Sequence, residues 1–170
     1  MREYKQEEIE ELIRCPKVII EAPRKEMYIE RAYLRNDLKL REKNGERIFK
    51  VFMRQTVDFP EDFTIGIEYI PDDERDRIIL LRCNGPHGEF EDGPCPPSSH
   101  FMYHIHKAKE ENIRRRVKPE RFGEATEEYA AYEQALSYFI HVVNITDSHE
   151  HEYFKGINQM EFDFPGDEIE

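Results

Sequence analysis

Phe63-Thr64-Ile65-Gly66-Ile67-Glu68-Tyr69 alternates apolar with polar or small residues without a break. Strand side chains alternate faces with a period of two, so Phe63, Ile65, Ile67 and Tyr69 are expected on one buried face. Working outward, Pro71-Asp72-Asp73-Glu74 reads as a turn. Residues 77–84 read as the next strand, centred on Ile78-Ile79-Leu80-Leu81. Upstream, residues 47–55 form a strand preceded by Asn44-Gly45, the strongest hairpin signal in the chain. Residues 38–42 are its extended partner. Residues 26–35, rich in Tyr, Ile and Leu, read as one more strand, with Asn36-Asp37 as a turn or bulge. Val18-Ile19-Ile20 is a short strand stopped by Pro23.

Two helices flank this run. In residues 6–14, Ile9, Leu12 and Ile13 form one apolar stripe, and Cys15-Pro16 ends the helix because a residue before proline leaves helical dihedrals. Residues 126–143 are predicted as a long helix. Thr126 is its N-cap, Glu127 and Glu128 occupy its first turn, and the stripe is Tyr129, Tyr132, Leu136, Phe139, Ile140 and Val143. The expectation is an α+β fold: an antiparallel sheet of about five or six strands, with the N-terminal helix and the long C-terminal helix on one face.

The 170-residue length is that of one domain. Composition separates residues 1–146, a single α+β domain, from residues 147–170, an acidic tail. The net charge is −12, and the charge is unevenly spread. Residues 147–170 hold eight acids against Lys155, a net of −7, whereas residues 107–121 carry a net of +4. That basic segment, including Lys107, Arg114, Arg115 and Arg116, is either a phosphate grip or a solvated charged surface. The two segments are complementary, so the tail is a candidate mask over the basic stretch. Cys15, Cys83 and Cys95 are odd in number and irregular in spacing, which argues against a disulfide framework. The acidic N-terminus does not resemble a signal peptide, and no apolar run nears the roughly 18 residues of a membrane helix. A cytoplasmic protein with no membrane partner is expected.

Chemistry concentrates around His100-Phe101-Met102-Tyr103-His104-Ile105-His106. As a strand this stretch puts Phe101, Tyr103 and Ile105 on one face and His100, His104 and His106 on the other. A loop dense in Gly and Pro, residues 85–99, joins it to the strand ending Arg82-Cys83-Asn84. The two strands are thus expected to be antiparallel neighbours, with His87 folding back to the same end. Imidazoles exchange protons near neutral pH, and crowded ones resist being charged together, so one can act as acid and another as base. That suits phosphodiester cleavage of RNA, with His87 and His104 as acid and base. Asn84 would orient a histidine, Arg82 would hold phosphate, and His100, His106, Lys107 and Arg114–Arg116 would contact substrate. The alternative is a divalent metal on His104 and His106, completed by His87 or His100. His149 and His151 are expected in solvent.

The pattern Arg82-x-Asn84-x-x-His87, then His104-x-His106, then an amphipathic helix, resembles the TumE-like family over residues 47–143. These are small prokaryotic toxin components of toxin–antitoxin pairs. Arg82 and His87 match the family's motif, and His104 and His106 fall in its histidine cluster. Asn84 stands where the family usually has Asp, and the Pro-rich loop is longer than usual. The resemblance implies a bacterial or archaeal cytoplasmic protein that binds an antitoxin. In the tail, Gln159-Met160-Glu161-Phe162-Asp163-Phe164 resembles the short peptides with which bacterial replication proteins dock on the sliding clamp. Partner docking through residues 159–164 is the expectation there.

Overall fold

The computed structural model describes residues 2–87, 101–117 and 123–157. Among these residues the fold is an eight-stranded antiparallel sheet with three α-helices. The strands are β1 (Lys17–Glu21), β2 (Tyr28–Glu30), β3 (Tyr33–Glu42), β4 (Ile48–Thr56), β5 (Phe63–Ile70), β6 (Ile78–Asn84), β7 (His104–Lys107) and β8 (Glu124–Ala125). The order across the sheet is β1-β3-β4-β5-β6-β7-β8, and β2 shares the outer edge of β3 with β1. The helices are α1 (Gln6–Arg14), α2 (Glu110–Arg114) and α3 (Tyr132–Val142).

The alternation of β5 sets the layering. Phe63, Ile65, Ile67 and Tyr69 are all buried, and they face the apolar stripes of α1 and α3. Phe49, Val51 and Met53 of β4, and Leu38 and Leu40 of β3, continue the same face. Each such side chain contributes about 1.5–3 kcal/mol by leaving water. Tyr132, Ala135, Leu136 and Phe139 dock α3 on β5 and β6.

The sheet has more strands than the five or six expected, for two reasons. Residues 26–35 do not run straight: Arg31 takes a positive φ of 58°, and β2 folds back on β3 as a hairpin. Residues 124–125 add an eighth strand that lacks any alternation to mark it. Asn36 and Asp37 are neither turn nor bulge but regular β3 residues opposite Met53 and Phe52. Buried Asn36 instead brackets the preceding loop, accepting from the Arg24 N–H and donating to the Arg24 carbonyl at 3.0 Å each. The Asn44-Gly45 hairpin forms, with a four-residue loop between Glu42 and Arg47. A Cβ at Gly45 would strike the Glu42 carboxylate, which Arg47 holds in place.

The long C-terminal helix is shorter than expected and starts at Tyr132. The Thr126 N–H extends the β8 pairing to the Tyr103 carbonyl at 2.9 Å, so sheet pairing overrides the N-cap signal. Its hydroxyl accepts from the Glu128 N–H in a local turn. Gln134 reaches back to accept from the Ala130 N–H and supplies the helix entry. The residues assigned to the tail by charge include a packed part: Ser148, Phe154 and Ile157 are buried, and the Asp147 carboxylate accepts from the Ile19 N–H. The 159–164 segment lies outside the described residues.

Lys17 ties the ends together. Its side chain is fully buried, and Nζ donates to the carbonyls of Ile13 (2.8 Å), Cys15 (2.8 Å) and Val143 (2.9 Å). These carbonyls lie at the C-terminal ends of α1 and α3, where the helix leaves acceptors without partners and the dipole favours a cation. Burial pushes the Lys17 ammonium down to about 8.

Candidate active site

β6 and β7 pair in register, with Asn84 opposite His104 and Arg82 opposite His106. Directly opposed residues share a face. Cys83 and Ile105 point to the helices, so Arg82, Asn84, His104 and His106 all lie on the second face of the sheet. The strand is shorter than the alternation of residues 100–106 suggests. It begins at His104; Phe101 and Met102 are exposed in a turn, and Phe101 is not a core residue. His100 lies outside the described residues.

His104 is the centre of the arrangement and has no exposed surface. Its Nδ1 lies 2.8 Å from the Met102 carbonyl, which can only accept, so Nδ1 carries the proton. Its Nε2 lies 3.3 Å from Asn84 Nδ2, which donates to it. The pairing fixes both the tautomer and the ring orientation. The His87 ring centre is 4.9 Å away and that of His106 is 5.0 Å away. His87 is half-buried and is the member of the trio nearest to solvent access; His106 is buried.

The surroundings hold this trio from three sides. Gly123 faces His104 and His106 so closely that a Cβ would lie 2.9 Å from His104 Cδ2 and 3.1 Å from His106 Cε1. The Tyr129 hydroxyl lies within hydrogen-bond reach of the His104 carbonyl (2.8 Å) and the Asn84 carbonyl (3.2 Å), clamping the two strands where the site residues sit. Burial raises the Tyr129 hydroxyl pKa well above its ordinary value, so it stays a donor. Gly85 donates its N–H to Phe63, and a Cβ there would overlap the Glu61 carbonyl at 1.7 Å. Only glycine lets the chain leave β6 in this direction towards His87.

Comparisons with protein-family models, curated proteins and solved structures found no match.

One polar atom stands out. Asn84 Oδ1 is buried and has no hydrogen-bond partner among the described residues. An unmet buried acceptor costs about 1–3 kcal/mol, which is unusual to retain without a use. Rotating the amide by half a turn would present Oδ1 to His104 Nε2, where it could accept a hydrogen bond from a second proton carried on that nitrogen. The same heavy-atom positions thus accommodate either a neutral or a doubly protonated His104.

Of the residues expected at the site, Arg82, Asn84, His87, His104 and His106 come together. The basic segment does not join them. Lys107 shares the face of Ile105, and its Nζ is held by Glu10 of α1 at 2.8 Å. Arg114, Arg115 and Arg116 lie in or just after α2, exposed, with Arg115 paired to Glu111. Lys109 pairs with Glu124 at 3.2 Å. Alternation accounts for the split: one residue beyond His106, the chain faces the helices again. For a metal on His104 and His106, no group of three His, Cys, Asp or Glu side chains among the described residues is arranged to hold an ion. Both ring nitrogens of His104 are already engaged. Cys83 borders the site from the core side, where burial pushes its thiol up to about 12 and makes it inert. Tyr129 and Gly123 were missed from sequence. Tyr129 reads as one more apolar stripe residue, and Gly123 reads as a chain break.

Proposed function

We propose that this protein is an RNA-cleaving phosphodiesterase of the toxin type, with His87 as the group that exchanges protons with the substrate. The observation that carries the reading is the trio His87–His104–His106, packed ring to ring with its central member pinned in one tautomer. His87 takes the proton of a ribose 2′-hydroxyl as that oxygen attacks the adjacent phosphorus. The bond to the 5′-oxygen breaks, and the imidazolium returns the proton to it. The products are a 2′,3′-cyclic phosphate and a 5′-hydroxyl, so no further reactant is needed. Arg82 stabilises charge on the phosphoryl oxygens. His104 is wholly buried and acts as a positioning residue, with Asn84 setting its orientation. The resemblance to TumE-like toxins supports the same reading and adds a neutralising antitoxin as partner.

The test is cleavage of a fluorescent RNA oligonucleotide by the full chain in EDTA, followed across pH. Wild type is expected to gain rate with rising pH as His87 loses its proton and then to level off, and His87→Ala is expected to lose about 10²-fold or more. His104→Gln should lower the rate and displace the midpoint of the pH profile. No cleavage by wild type, or full activity in His87→Ala, would overturn the proposal.

A further inference from the structure

The histidine site is one end of a longer feature. Strand register lines up Tyr28, Arg35, Arg54, Thr64, Asn84 and His104 directly across β2 to β7. The neighbouring row runs Asp37, Phe52, Gly66, Arg82 and His106. Both rows lie on the sheet face away from α1 and α3. At about 4.8 Å per strand, the first row spans about 24 Å.

This face carries aromatic rings interleaved with cations. The Arg54 guanidinium lies 4.8 Å from the Tyr33 ring centre, and Arg24 lies 4.3 Å from that of Tyr28. Phe52 lies flat across Gly66: a Cβ on Gly66 would fall 2.2 Å from Phe52 Cζ. The glycine therefore lets an aromatic ring rest on the sheet one strand from Arg82 and two from His106. The charge on this face is not all available. Arg35 is paired with Glu30 at 3.0 Å, Lys39 with Glu21 at 3.4 Å, and Asp37 and Glu68 add negative charge. Arg54 and Lys50 are exposed and have no carboxylate partner among the described residues. The whole protein carries −12, whereas on this face Arg54 and Lys50 offset Asp37 and Glu68, so the face escapes the overall negative charge and sets exposed cations beside aromatics.

We propose that this sheet face is a track for single-stranded RNA that delivers the chain to the histidine site. Tyr33 and Phe52 stack bases, and Arg54 and Lys50 hold phosphates. Base stacking on aromatic residues with cations alongside is how sequence-tolerant single-strand binding works. The inference rests on the RNA reading of the histidine site.

The test uses full-length protein carrying His87→Ala, to prevent cleavage, and fluorescein-labelled decauridine read by anisotropy. Tyr33→Leu and Phe52→Leu should each weaken binding about tenfold, from the usual stacking contribution per base. The double variant Arg54→Ala/Lys50→Ala should weaken it at least tenfold and reduce the salt slope by about 1.4, the contribution of two phosphate contacts. Arg75→Ala, an exposed cation on the turn before β6, should change affinity less than twofold. Unchanged binding in the Tyr33, Phe52 and double variants would overturn the track, as would no measurable binding at 50 mM salt. Decaglutamate bound as tightly as decauridine would overturn the nucleic-acid assignment. The two proposals separate cleanly. If track variants lose binding while otherwise wild-type protein shows no His87-dependent cleavage, the track stands and the catalytic reading falls. If cleavage needs His87 and binding ignores the track residues, the reverse holds.

Discussion

Replacing Lys17 by Met keeps the aliphatic stem and removes the ammonium that closes α1 and α3. At pH 7.5 three buried carbonyls, those of Ile13, Cys15 and Val143, lose their donor. Each unmet acceptor costs about 1–3 kcal/mol, and relief from burying a charge offsets part of that, so a net loss of about 2–4 kcal/mol is expected. The pH dependence is the sharper measurement. The folded pKa is about 8, below the ordinary 10.5. Below pH 8 both folded and unfolded chains hold the proton, and the cost of burying it is in full force. Between 8 and 10.5 the folded chain has released its proton while the unfolded chain still binds one, so stability rises with pH. At about 1.4 kcal/mol per pH unit once the folded group is neutral, the gain between pH 7.5 and 10 is about 2 kcal/mol. Tyr4, Tyr129, Tyr132, Tyr138 and Tyr153 have raised pKa values and lower the stability near and above pH 10, but they do so equally in both proteins. Urea melts followed by far-UV circular dichroism at the two pH values give the wild-type-minus-Lys17→Met difference. That difference should grow by about 2 kcal/mol on going to pH 10. A difference independent of pH would show that the ammonium is not held in a desolvated site. A Lys17→Met protein as stable as wild type at pH 7.5 would refute its role at the helix ends.

Two further substitutions probe the site's supports. Tyr129→Phe removes the hydroxyl shared by the Asn84 and His104 carbonyls and should cost about 1–2 kcal/mol in a urea melt. It should also slow RNA cleavage several-fold; unchanged stability and rate would mean that the clamp is idle. Gly123→Ala puts a methyl 2.9 Å from His104 Cδ2, so the imidazoles must shift by a few tenths of an ångström. Its melting midpoint should move little while the cleavage rate falls and the midpoint of the pH profile shifts; a wild-type pH profile would count against the packed trio as the working group.

The sheet was legible where one face meets the helices. The period of β5, the strand at 78–84 and the stripe of α1 all follow from the need to bury one side of each element, and no long-range information is needed for that. That β6 and β7 are antiparallel neighbours was legible too, because a long connection between two strands permits it, whereas the register that sets Asn84 opposite His104 was not. What stayed hidden was decided by partners remote in sequence. Arg31 takes a left-handed conformation with no Gly or Asn to announce it, because the β2–β3 hairpin demands it. Thr126, Glu127 and Glu128 look like a helix start, yet the edge of β7 claims the Thr126 N–H. The basic segment shows the limit most clearly: net charge is a property of a stretch, whereas delivery to a site is a property of a face. His106 and Lys107 are adjacent in sequence, and the strand period sends one to the histidine trio and the other to Glu10. The same logic explains why cations for the site had to be sought across the sheet rather than along the chain. Arg35, Arg54 and Tyr28 are far from His104 in sequence and lie in its row in space. A row of this kind is assembled by register alone, so a one-residue slip of β4 against β5 would turn Phe52 and Arg54 towards the helices and dismantle the face without altering one side chain of the histidine trio.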